Sequence, residues 1–171
     1  MSWQKIEIDV RLTLNDYLRA NYWFLFQKMK AMILLLLFAG ILAPLYLWAK
    51  GAQLGPNESY WGFLIPWGIL FFLFGATYLG AKRQLASHKA MNETHHYTFL
   101  NEGINSVSAS TSAHQDWDNI REAVETKSNF LLFIALNQMY IIPKRCFQNE
   151  EQLDLFREML KRQLSSKAKI K

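Results

Sequence analysis

Two stretches of this chain carry no charged residue: 31–49, AMILLLLFAGILAPLYLWA, and 60–81, YWGFLIPWGILFFLFGATYLGA. No other feature limits the fold so strongly, because runs this long and apolar suit the hydrocarbon of a bilayer. At the helical rise the first would reach about 28 Å, close to the roughly 30 Å hydrocarbon core. The second is long enough to cross with some tilt. A secretory signal peptide is the alternative for the first, but its apolar core is too long and follows a patterned segment. Both are read as transmembrane helices, forming a hairpin over 31–81.

The charge distribution gives an independent argument. Residues 1–90 hold nine Lys/Arg and four Asp/Glu, whereas residues 91–171 hold ten of each, so the net +5 lies around the spans. Arg19, Lys28 and Lys30 precede the first span, Lys82, Arg83 and Lys89 follow the second, and the connecting loop offers Lys50. The positive-inside rule then expects both termini in the cytoplasm and a short external connection near GAQLGPNES. Trp48, Tyr60, Trp61 and Tyr78 fall near the span ends, where amphipathic rings favour the interface. This placement accounts for the basic composition, so no nucleic-acid partner is expected.

The spans lack Asp, Glu, Lys, Arg and His, which argues against an ion path or proton relay. Pro44 and Pro66 lie inside them, as membrane helices tolerate. Gly40 and Ala43 are expected at the depth of Trp67 and Gly68, where small residues let helices approach.

Outside the hairpin, Ile6, Ile8, Val10 and Leu12 alternate with Glu7, Asp9 and Arg11, the pattern of a half-buried strand. A lone strand leaves backbone groups unpaired, so it should join a sheet further along the chain. Thr13 with Asp16 fits a capping-box-like helix start. The amphipathic segment that follows, to residue 30, would lie in the interface or run into the first span.

From residue 91 the texture changes to short runs separated by turn residues: THHYTFL, INSVSAS, WDNIREAVE, FLLFIAL and MYIIP. These predict five short strands in an antiparallel meander or small barrel, with TSAHQD as a loop. Residues 149–164 predict a helix capped by Asn149, with Leu153, Phe156, Met159, Leu160 and Leu164 on the apolar side. The fold class is therefore an α+β membrane protein, with a β-domain over 91–165 and a loose basic tail at 166–171.

The candidate chemical groups are sparse. His95 and His96 are adjacent on a strand and point to opposite faces, so they cannot converge on one metal. His88 and His114 are isolated. Ser112, His114 and Asp116 mimic a triad composition, but no nucleophile-elbow pattern surrounds the serine. Glu122, Glu125, Glu150 and Glu151 read as strand and helix surface. Cys146, the single cysteine, excludes an intramolecular disulfide, and the cations beside it favour a thiolate. It lacks a base and an oxyanion site, so no catalytic residue, metal or cofactor is assigned. Lys144 and Arg145 are the candidate lipid or partner contacts, because cations beside an anionic leaflet favour its surface.

Several residues together resemble the YcxB-like family: Phe99 with Glu102-Gly103-Ile104, Trp117, Asp118, Ile120, Glu125 and Phe130-Leu131-Leu132. The likeness continues through Tyr140-Ile141-Ile142-Pro143-Lys144-Arg145, Phe147, Phe156 and Leu160, and extends to the N-terminal strand with LTLNDYLRAN and the paired spans, so that it covers nearly the whole chain; IIPKR-x-F is its most specific piece. The resemblance implies two membrane helices in a bacterial inner membrane and a cytoplasmic pleckstrin-homology-like (PH-like) domain, closed at one end by the last helix. It implies no enzymatic activity. The expected role is a non-catalytic accessory or scaffold that binds a protein partner or a second copy. Sensing of anionic lipid headgroups is the alternative, and an enzyme or transporter component the remote one.

Overall fold

The computed structural model describes residues 5–51, 58–87, 93–135 and 138–170, with the backbone alone for 43, 44, 58–63 and 87. Most of the connection between the spans, together with His88 and Lys89, lies outside these residues. So do the side chains of Ala43, Pro44, Tyr60 and Trp61. The chain forms two compact units, Met1–Ala20 with Gln84–Lys171, and Asn21–Arg83. The β-unit thus includes the start of the segment after Thr13, Leu14–Ala20, together with the C-terminal tail.

The N-terminal alternation folds as β1, Ile6–Val10, with Ile6, Ile8 and Val10 buried. It pairs antiparallel with β2, His95–Phe99, placing Ile6 opposite Phe99 and Ile8 opposite Tyr97. β3, Gly103–Val107, and β4, Ser112–Asp116, complete a sheet in the order β1-β2-β3-β4. Gly103 is required at its turn, since a Cβ there would collide with the Gln115 carbonyl oxygen. The segment expected to be a loop, TSAHQD, is mostly strand β4: the Ser108–Thr111 turn returns the chain beside β3, whose ladder supplies its backbone partners.

A second sheet has the order β7-β6-β5-β8, formed by β5 Glu122–Glu125, β6 Asn129–Ala135, β7 Gln138–Pro143 and β8 Ala168–Lys169. The expected single meander or barrel is therefore corrected to two sheets that do not close on one another. The break falls at Trp117–Asn119, a 3-10 turn inside what reads as one strand, WDNIREAVE. Trp117 is buried there and its indole N–H donates to the Leu100 carbonyl at 2.8 Å, which draws the chain out of the first sheet. The tail is ordered through residue 170 as well, with β8 parallel to β5.

Helix α3, Glu150–Leu164, starts at Asn149, whose side chain accepts the Gln152 N–H at 2.8 Å. Its five buried residues, Leu153, Phe156, Met159, Leu160 and Leu164, join one core with β1, both sheets and Trp117. Each such burial is worth about 1.5–3 kcal/mol. Phe156 is the hub, its ring 4.6 Å from that of Phe99 and 5.1 Å from those of Phe130 and Phe147.

Among the described residues, two helices are long and apolar enough to cross a membrane. The first, α1, runs unbroken from Leu14 to Ala49, so the segment after Thr13 continues straight into the apolar stretch. The second, α2, spans Glu58–Ser87 with Pro66 inside it. Only 12% and 17% of their most apolar windows are buried within the chain, unlike the core helix of a soluble protein. Phe71 and Trp48 are more than four-fifths exposed, at 84% and 81%. Within this unit the ring of Phe74 lies 5.6 Å from Tyr22 and 5.7 Å from Phe26. A Cβ on Gly40 would lie 3.0 Å from the Trp67 indole nitrogen, whereas one on Gly68 would meet nothing within 4 Å. Among the described residues, the close approach is therefore at Gly40 against Trp67.

Candidate functional site

The residues that sequence reading singled out, Lys144 and Arg145, sit in a 3-10 turn, Lys144–Cys146, that joins β7 to the approach of α3. Pro143 closes the ladder opposite Asn129, and the Lys144 N–H donates to the Ser128 carbonyl at 2.9 Å. Phe147 then packs on Phe130 and Phe156. Because the turn is held at both ends by the core, its two cations have fixed directions. They diverge to two carboxylates of the same chain.

The Lys144 ammonium donates to Glu125 Oε1 at 2.5 Å and lies 5.3 Å from the centre of the Phe130 ring. The same carboxylate oxygen accepts from Arg157 Nη2 at 2.8 Å and Nε at 3.0 Å, and Arg157 Nη1 reaches Asp154 at 2.5 Å. Glu125 reads as strand surface in the sequence, but its side chain is only 2% exposed. The correction has a clear cause: α3 and the turn both converge on the end of β5, bringing two cations that make burial of the carboxylate tolerable.

Arg145 turns to the start of α1. Its Nη2 donates to Asp16 Oδ2 at 2.6 Å and to the Arg11 carbonyl at 2.8 Å. Asp16 closes a reciprocal cap: its carboxylate accepts from the Thr13 N–H at 3.0 Å and hydroxyl at 2.7 Å, and its own N–H donates to Thr13 Oγ1 at 3.3 Å. Buried Asn129 donates its amide to the Asp16 carbonyl at 3.3 Å. Burial pushes the Asp16 carboxyl up, but the hydrogen bonds from Arg145 and Thr13 outweigh it and leave its pKa below the usual carboxylate value. Hydrogen bonding to Asp16 raises the pKa of Arg145 in turn.

Cys146 does not have the activated thiol that its neighbours predict. Burial pushes its pKa up more than Arg145 lowers it, so the thiol form is favoured. On the outer face of the first sheet, His96 Nδ1 meets Asp9 at 2.8 Å, and that hydrogen bond raises the imidazole pKa against a smaller effect of burial. Ser112, His114 and Asp116 share one face of β4, but the imidazole bonds Asp116 at 3.1 Å and Asn105 at 2.5 Å, so neither nitrogen is directed at the serine. Among the described residues no three His, Cys, Asp or Glu side chains are grouped to hold a metal ion.

What this arrangement does is mechanical and electrostatic: one turn ties β5, α3 and the root of α1 together through two carboxylates. Residues 99–160, which include this turn and both partners of Lys144, match the family described as YcxB-like protein. A relative from Bacillus subtilis (strain 168), "Uncharacterized protein YcxB", is 30% identical over 106 residues. The likeness to the YcxB-like family is thus carried by the region from β2 to α3. The alignment with YcxB covers 61% of this chain and 57% of the relative, so it spans little more than half of the relative's length. No solved structure matches the chain. The YcxB-like region begins in β2 and ends within α3. The Asp16 end of the Arg145 pair therefore lies outside the part that the family pattern describes.

Proposed function

We propose that this YcxB-like protein is a multi-pass protein of the bacterial inner membrane whose PH-like module works in the cytoplasm as a non-catalytic scaffold for a protein partner. The observation that carries this reading is the Arg145–Asp16 pair, which fastens the β-module to the first turn of a helix long and apolar enough to cross a membrane. The resemblance to a PH-like module is supported by two sheets sharing a core with a helix that follows the last long strand. The cytoplasmic placement is supported by Arg19, Lys28, Lys30, Lys82 and Arg83 flanking the apolar stretches.

The anionic-lipid reading rests on Lys144 and Arg145, and their ion pairs weigh against it. Lys144 is 21% exposed and pairs with Glu125, while Arg145, half exposed at 51%, is already bound to Asp16. A cation must leave its carboxylate before it can serve a headgroup at full strength, and leaving a buried carboxylate unpaired is costly. Crosslinking of the full-length protein in native membranes, followed by pull-down, tests the scaffold reading. Recovery of one protein in stoichiometric amount supports it; recovery of nothing above an untagged control counts against it.

A further inference from the structure

The segment after α3 behaves as a strand laid into a groove. Ser165 has φ 46°, in the left-handed region that an L residue adopts under strain, and this turns the chain out of the helix. A 3-10 turn, Ser165–Lys167, then delivers β8 alongside β5, with Ala168 opposite Ala123 and Lys169 opposite Val124. Ala168 and Ile170 pack against the core. Between them the cations meet oxygen: Lys167 Nζ donates to the carbonyls of Asp118 at 3.3 Å and Ile120 at 3.2 Å, and Lys169 pairs with Glu122 at 2.6 Å.

These contacts have the two parts of strand-addition recognition: main-chain pairing for affinity, and sites for alternate side chains for specificity. The two sides are unequal in stability. β5 is a buried strand, with Ala123 and Val124 1% and 6% exposed, so its edge needs a backbone partner. The segment that supplies one pairs through two residues, and its Lys169 side chain is 72% exposed, where an ion pair contributes little. A permanent acceptor is covered by a marginal occupant.

We propose that the edge of β5 is a docking groove for an extended segment of another protein in which lysines alternate with apolar residues, and that residues 165–170 are an internal stand-in that holds it closed. The chemistry of the external segment is taken from the resident one: cations toward Glu122 and the Asp118 and Ile120 carbonyls, apolar side chains toward the core. The inference rests on the partner-binding reading and specifies its site. Closure is intramolecular, and a short tether acts as an effective concentration in the millimolar range. An external segment therefore binds the closed chain with its affinity reduced by the fraction open.

The test uses full-length protein in detergent micelles and a fluorescent peptide, SSKAKIK, with SSEAEIE as control. Ile170→Asp releases the resident segment, and fluorescence anisotropy should show it binding SSKAKIK at least tenfold more tightly than the parent does. Adding Glu122→Lys should weaken that binding at least threefold, and the control peptide should not bind. A cooperatively melting Ile170→Asp protein that binds SSKAKIK no better than the parent, or binds both peptides alike, overturns the proposal. If that variant does not melt cooperatively, Ile170→Ala is judged by the same outcomes. Dimerisation of the parent that is lost in Ile170→Asp would overturn it in favour of exchange between copies. Peptide binding without a recovered native partner defeats the scaffold reading and leaves the groove standing, and a recovered partner without peptide binding does the reverse.

Discussion

Arg145 donates to Asp16 at 2.6 Å across 129 residues of sequence, joining the turn before α3 to the first turn of α1. The arginine stays half exposed while the aspartate side chain is 7% exposed, so the two ends are not equivalent. Removing the arginine strands a buried carboxylate, whereas removing the aspartate leaves a cation that water can reach.

Arg145→Ala should accordingly destabilise the β-unit by about 2 kcal/mol, within the range for hydrogen bonds to charged groups and their stranded partners. Combined with Asp16→Ala, a double-mutant cycle should give a coupling of about 1 kcal/mol or more. Denaturant unfolding of the four proteins measures it, and additive losses would mean that the pair does not act as a pair.

The lowered Asp16 pKa predicts an acid-sensitive joint. A carboxyl whose pKa is lower folded than unfolded adds stability above its unfolded value, about 3.9, and loses it as the pH falls through the folded value. The melting temperature should therefore fall below about pH 4, and fall less steeply in Asp16→Asn. Parallel slopes for the two proteins would remove Asp16 from the explanation.

Glu125 holds two cations from different elements with a side chain that is 2% exposed. Glu125→Ala leaves Lys144 and Arg157, 21% and 24% exposed, without their shared partner, and should cost about 1.5–3 kcal/mol. Asp154→Ala, which removes a carboxylate that is 66% exposed, should cost less than about 1 kcal/mol. Chemical denaturation ranks the two, and equal losses would contradict the burial argument.

In the helical unit, Gly40→Leu would drive a side chain into Trp67, whereas Gly68→Ala meets none of the described residues within 4 Å. The first should destabilise the helix pair by about 1–3 kcal/mol, as overpacking does, and the second should change little. Thermal aggregation in detergent compares them, and the opposite ranking would refute the contact.

How much of this was legible depended on the distance over which each signal acts. The β1 alternation, the Thr13–Asp16 cap, the Asn149 cap and the apolar stripe of α3 are read within a few residues, and each appears where its pattern places it. The need of β1 for a sheet partner could be deduced, because an unpaired strand has no stable alternative. Glu125 misled because strand position says nothing of α3, which brings Arg157 over it from 32 residues away. Trp117 looked like strand because a 3-10 turn has little sequence signature, and its bond to the Leu100 carbonyl is a tertiary one. The 166–171 tail looked loose for the same reason: two paired residues leave no periodicity to read. Lys144 and Arg145 stood out by charge alone, and their partners, Glu125 and Asp16, became visible only when the chain was folded.

The central claim, a membrane hairpin with the β-module on the cytoplasmic side, is tested most directly by cysteine labelling in cells. With Cys146→Ser as background, Lys50→Cys lies just after α1 and Lys127→Cys in the turn between β5 and β6, both at exposed positions. A membrane-impermeant maleimide applied to bacterial spheroplasts should label Lys50→Cys at once and Lys127→Cys only after lysis. The reverse order, or both sites protected with the protein recovered in the soluble fraction, would contradict the account.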